Sequence, residues 1–213
     1  GINKTSGANL WRLSRPKAAN WTTPTLLEGA FKGRDLVALQ SSKGVSAVDL
    51  KTGDAVWNFG NGASTTSSTC VLDGVLYVPS NGITAIQPRS DGKEPDELWQ
   101  SGRLQPSTAS PIALGDHVYT VNRAGVLTAG NLKTGEREWQ KRLKGPFSST
   151  PVAAGSHLYF FNETGLMQVV DTAKGEDGEI RTLNLDDQIL ATPAVANGAI
   201  YVRSNSKIYK VAK

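Results

Sequence analysis

Apolar residues along this chain come in short runs that alternate with polar ones and are cut by Gly, Asn and Asp. No segment holds a 3.6-residue period for three turns, so the pattern predicts strands throughout and no helix. The runs recur. A Ser/Thr-rich step, a Pro and a short apolar stretch appear at Thr22-Thr23-Pro24-Thr25-Leu26, Ala109-Ser110-Pro111-Ile112, Ser149-Thr150-Pro151-Val152 and Ala191-Thr192-Pro193-Ala194. A fifth copy, Ser68-Thr69-Cys70-Val71, is aligned here with Cys in the Pro slot. Anchors at 24, 70, 111, 151 and 193 are spaced by 46, 41, 40 and 42 residues.

Each unit continues in the same order. A turn such as Asp73-Gly74 or Asn197-Gly198 suits a tight hairpin. A second strand then carries a Tyr (Tyr77, Tyr119, Tyr159, Tyr201), followed by a third strand such as Gly82–Ile86 or Gly125–Ala129. A Lys-Thr-Gly turn (51–53, 133–135) leads to a fourth strand with a Trp. A period near 42 made only of strands predicts an all-β fold, a β-propeller of four-stranded antiparallel blades with five repeat units in this chain. The predicted units are 22–60, 66–103, 107–145, 147–185 and 189–213, in one domain over 1–213. A lone strand over 9–13 is read as the fourth strand of a blade. Blades diverge with radius, so the outer strand needs a large side chain, and Trp11, Trp57, Trp99 and Trp139 are read as wedges between blades. Trp21 lies outside this set.

Composition narrows the function. The chain has 213 residues, one Cys and a net charge of +4 from 23 Lys+Arg against 19 Asp+Glu. One Cys allows no internal disulfide and no cysteine-built zinc site. No run approaches the roughly 20 apolar residues of a membrane helix, so no transmembrane segment is expected. The dispersed, mild positive charge does not point to nucleic acid. The first residue is Gly1, consistent with a processed form or a piece of a longer chain.

The run Ala47-Val48-Asp49-Leu50-Lys51-Thr52-Gly53-Asp54-Ala55-Val56-Trp57 resembles the tryptophan-docking repeat of pyrroloquinoline-quinone-type propellers. Ala129–Trp139 is a second copy, and Ala85, Gly92 and Trp99 form a stretched third. The fourth unit departs, with Val169, Gly175 and Ile180 in the three slots, so its junction should pack differently. The family includes quinoprotein dehydrogenases and the BamB-like, non-catalytic scaffolds of outer-membrane assembly, and the run from Ala191 to Tyr209 resembles the end of the latter. Such propellers have seven or eight blades. The repeat count therefore fits either a closed five-blade ring or a segment completed by a missing stretch or another chain.

The resemblance implies an exported bacterial protein, in the periplasm or at the outer membrane or cell surface, that holds a protein partner without catalysis or cofactor. A quinoprotein dehydrogenase is the first alternative; it would need calcium ligands, an Asp base and often a disulfide of adjacent Cys. The one Cys excludes that disulfide, and Asp49 and Asp171 sit in turns. A lectin-like carbohydrate binder is the second alternative.

The candidate partner face is the set of loops between second and third strands: Ser42, Asn81, Asn122, Arg123, Asn162, Glu163 and Asn205. Hydroxyls at the starts of first strands (Thr22, Thr23, Ser68, Thr69, Ser110, Ser149, Thr150, Thr192) would share that face. Such groups both donate and accept, as a peptide or sugar requires, although Asn and Ser also serve tight turns. His117 and His157 occupy one slot of consecutive units, which raises a metal pair, but no third ligand recurs and a structural role is favoured. Arg137, Lys141, Arg142 and Lys144 form a basic run, read as a solvated rim or a contact for acidic partners. Asn3, Asn20 and Asn162 carry glycosylation-type triplets of little weight in a bacterial protein.

Overall fold

The computed structural model describes residues 1–15 and 17–212; Pro16 and Lys213, the last residue of the fifth predicted unit, lie outside the described residues. The chain divides into two compact units, Gly1–Gln100 and Ser101–Lys213.

The first unit holds two antiparallel sheets, each in simple chain order. One is built from β1 (Thr25–Phe31), β2 (Arg34–Ser41), β3 (Gly44–Asp49) and β4 (Ala55–Phe59). The other comprises β5 (Cys70–Leu72), β6 (Val75–Pro79), β7 (Ile83–Gln87) and β8 (Asp96–Ser101). Leu36, Val45, Ala47, Trp57 and Phe59 of one sheet and Leu76, Val78 and Ile86 of the other form a shared core.

The second unit holds three sheets. β9 (Ile112–Leu114), β10 (His117–Val121), β11 (Val126–Asn131) and β12 (Arg137–Arg142) form the first; β13 (Val152–Ala154), β14 (His157–Phe161), β15 (Leu166–Asp171) and β16 (Arg181–Asn184) form the second. β17 (Ala194–Ala196), β18 (Ala199–Arg203) and β19 (Ile208–Ala212) form a three-stranded third. Tyr119, Leu127 and Ala129 pack against Leu158, Phe160 and Val170, and Phe161, Met167 and Val169 against Ile200 and Val202. Each core cluster thus lies between neighbouring sheets, because each sheet has two apolar faces to bury.

Alternation sets the register. Ala47 pairs with Trp57 and Ala129 with Trp139, and the ladder shifts directly after both alanines. A small residue on the third strand leaves room for the indole opposite. In the fourth repeat Val169 faces Arg181 instead, and Ile180 packs partly buried at the junction.

Two features differ from the sequence reading. A 3-10 stretch, Thr172–Asp177, broken at Gly175 (φ 55), replaces the simple turn of the other repeats. Residues 9–13 join no sheet: Asn9 makes one isolated bridge to Ile2, and the backbone beyond it is irregular.

Candidate functional site

The register moves one slot. Cys70 pairs with Tyr77, as Ile112 pairs with Tyr119, Val152 with Tyr159 and Ala194 with Tyr201. Cys70 therefore follows the anchor, and Thr69 holds the position that Pro holds elsewhere. The anchors become 24, 69, 111, 151 and 193, spaced by 45, 42, 40 and 42 residues.

This alignment explains the hydroxyls. The residue before each anchor is Thr23, Ser68, Ser110, Thr150 or Thr192. The Thr23 N–H donates to Ser68 Oγ at 2.9 Å, Ser110 N–H to Thr150 Oγ1 at 3.0 Å, and Thr150 N–H to Thr192 Oγ1 at 3.1 Å. Thr25 Oγ1 adds a bond to the Thr69 carbonyl at 3.3 Å. The Ser68, Thr150 and Thr192 hydroxyls are thus rungs to the preceding repeat within each unit, each satisfying a backbone N–H just ahead of a first strand.

Thr69 carries an N–H that a Pro would lack, and it is buried at 8% exposure. Gln40 answers it. Its Oε1 accepts from Thr69 N at 2.8 Å and Thr69 Oγ1 at 2.7 Å, and its Nε2 donates to the carbonyls of Ser64 at 2.6 Å and Ser67 at 2.9 Å. All four capacities of the buried amide are used. The matching slots in β10 and β14 are Val121 and Phe161, and the repeats that follow them begin with Pro151 and Pro193. A polar partner appears where the Pro is missing, a signal that was present in the sequence.

The loop residues spend their groups locally. Asn122 Oδ1 accepts from Ala124 N at 2.9 Å and Val126 N at 3.0 Å. Asn162, only 3% exposed, accepts from Thr164 N and Leu166 N and donates to the Lys144 carbonyl. Its burial also removes it as a glycan acceptor. Glu163 accepts from Ser148 Oγ at 2.7 Å, and Asn205 donates to Gln188 Oε1 at 2.8 Å. Asn81 turns the chain at φ 50, and its carbonyl accepts from Gln100 Nε2. Arg123 is exposed on the Asn122 loop. Asn81 belongs to the first unit and the other five to the second.

The tryptophans divide by role. Trp11 lies over Gly53, where a Cβ would stand 2.6 Å from its ring, and its indole N–H donates to the Leu50 carbonyl at 3.1 Å. Trp139 lies near Gly175 and tilts on Tyr119 at 5.7 Å. Trp57 is 3% exposed between the two sheets of its unit, and its Nε1 is buried without a hydrogen-bond partner. Gly92 is covered by Phe31. Trp99 tilts on Tyr77 at 5.9 Å. Burial pushes the Tyr77 and Tyr119 phenols up to about 12. Trp21 is exposed, and its backbone N–H donates to the Thr65 carbonyl.

The histidines go to separate partners. His117 Nε2 lies 2.6 Å from Glu138 Oε2, and Asn131 donates to the other oxygen of that carboxylate. Arg181 donates to His157 Nε2 at 2.9 Å, which occupies the lone pair a metal would need. Among the described residues no three His, Cys, Asp or Glu side chains converge to hold a metal. In the basic run, Lys141 donates to the Gly178 carbonyl in the next repeat and Arg142 to the Ala124 carbonyl in its own, so both cations hold loops of the fold.

The turns after β3 and β11 share one device. Asp49 Oδ1 accepts from Lys51 N at 2.9 Å and Thr52 N at 3.2 Å, and Asn131 does the same for Lys133 and Thr134. Asp49 is buried and paired with Arg34 at 2.6 Å. The Lys51 N–H, with the Thr52 N–H and the Arg34 charge, holds its carboxyl below the usual range despite its burial.

Comparison with known proteins places these features. Residues 80–179 match the family model described as outer membrane protein assembly factor BamB. No curated protein matches the sequence. Among solved structures the chain is similar to BamB from Moraxella catarrhalis, with 21% identity and a TM-score of 0.77 over 99% of this chain. It spans 62% of the length of that BamB chain. The likeness is one of fold, an all-β propeller architecture of antiparallel blades. Over residues 80–179 the repeats resemble those of the BamB family model, and over the rest of the chain the likeness is one of fold.

Proposed function

We propose that the chain is a non-catalytic scaffold that holds a protein partner in the bacterial cell envelope, in the manner of an outer-membrane assembly factor. The match of residues 80–179 to the BamB family model carries this reading. The local chemistry agrees with it: the hydroxyls and amides that would have suited a small ligand are engaged between repeats or within turns. No helix among the described residues is long and apolar enough to cross a membrane. Export to the periplasm, or to the outer membrane or cell surface, belongs to the same proposal.

A photoreactive residue in place of the exposed Arg123, in protein exported to the periplasm of a bacterium with an outer membrane, tests it. Crosslinks to components of outer-membrane protein assembly are expected. Crosslinks only between copies of the chain would overturn the reading. So would a stoichiometric complex on titration with pyrroloquinoline quinone and calcium, followed by the quinone absorbance.

A further inference from the structure

Four of the five sheets begin with a first strand of three residues, β5, β9, β13 and β17, whereas β1 has seven. β1 is the edge of its sheet and pairs only with β2. Its ladder is interrupted between Leu27 and Phe31, where Gly29 (φ 60) gives its N–H to Asp35 Oδ1 at 2.9 Å. A groove of 500 Å³ runs between β1 and β5, with Leu26, Glu28 and Ala30 on one side and Val71, Leu72 and Asp73 on the other. Leu26 is 47% and Val71 37% exposed. Both charged lining residues, Glu28 and Asp73, are carboxylates, and no cation lines the groove.

We infer that this groove takes an extended cationic peptide, carrying apolar and basic residues in turn along one strand face, which adds to β1 as a further strand. The inference rests on the reading of the chain as a protein-binding scaffold and specifies the chemistry of one partner segment. Backbone pairing to a free edge supplies affinity, and alternate side chains supply selectivity. One face of such a strand covers Leu26 and Val71, whose exposed apolar surface then leaves water. Basic side chains reach Glu28 and Asp73, and those carboxylates repel an acidic segment of the same shape. The continuous ladder of β1 runs over Thr25–Leu27 and the bulge at Gly29 follows it, so the added strand pairs with the edge ahead of the bulge. The volume lies in the range of built ligand clefts, about 300–1,000 Å³.

Fluorescence anisotropy with a labelled peptide of repeating Val-Ser-Lys-Ser, which places valine and lysine on one face, tests this on the full chain. Saturable binding is expected for that peptide, and none for its counterpart with glutamate in place of lysine or for a copy N-methylated at alternate residues. Glu28→Gln combined with Asp73→Asn should weaken binding at least about tenfold. Asn tolerates the positive φ of Asp73, so the double variant keeps the turn. Leu26→Glu, on an exposed position, should weaken binding similarly, with thermal melts verifying that both variants fold. Absence of saturable binding, equal binding of the N-methylated peptide, or indifference to both variants would overturn the inference. If the Arg123 crosslinks persist in that case, the groove assignment alone fails and the scaffold reading stands.

Discussion

Replacing Gln40 with Val strips the Thr69 N–H and the carbonyls of Ser64 and Ser67 of their partner in a buried site. A buried polar group left unpaired costs about 1–3 kcal/mol, so Gln40→Val should lower stability by at least that much. Adding Thr69→Pro removes the stranded N–H and reproduces the pairing of Val121 with Pro151. The double variant should recover part of the loss in urea denaturation; strictly additive losses would refute the coupling. Trp57 gives a second residue-scale prediction. Trp57→Ala empties a wedge between two sheets and should cost about 3–5 kcal/mol by the same measurement. Trp57→Phe should cost less than half of that, because the indole N–H it deletes has no partner to lose.

At the scale of elements, the turns after β3 and β11 are each fixed by a side-chain oxygen that accepts two successive backbone N–H groups. Asn131 does this without charge, whereas Asp49 adds a buried carboxylate facing Arg34. Since folding lowers the Asp49 pKa, its contribution is complete above the ordinary Asp value near 3.9 and is lost as pH falls through the lower folded value. Asp49→Asn keeps the turn and removes the charge. Its melting temperature should lie below that of the parent at neutral pH and converge with it toward pH 2. A gap that stays constant across this range would exclude the linkage. The first strands follow a comparable rule: where the anchor is Pro no N–H needs satisfying, and within the second unit the Thr150 and Thr192 hydroxyls tie each repeat to the one before it.

At the scale of the molecule, the five sheets are one local design repeated, and the departures from it carry the information. The β17–β19 sheet has three strands, β1 is long, and the fourth repeat exchanges a turn for a 3-10 stretch. The chain covers 62% of the BamB structure it resembles, so what the whole assembly holds is a question for the Arg123 crosslinking experiment. A partner dependent on the groove beside β1 would lose its crosslinks in the Leu26→Glu variant. A partner held by the exposed loops would keep them.

The strands, the period near 42, the Gly and Asn turns and the Trp–Gly repeat follow from the sequence alone, because each depends on neighbours a few residues apart. Alternation fixes which side chains face a sheet's surfaces, and a Gly or Asn fixes where the chain reverses. The use of the hydroxyls, the place of Cys70 and the partner of Thr69 were decided by tertiary structure. The hydroxyl rungs and the Gln40–Thr69 bond span 29 to 45 residues, and the pairing of Cys70 with Tyr77 sets a register that a one-residue misalignment in a weak copy conceals. Residues 9–13 show the same division. The sequence predicts a strand there, but a strand exists only where a neighbouring edge supplies hydrogen bonds; in this chain Trp11 finds Gly53 and Leu50 instead.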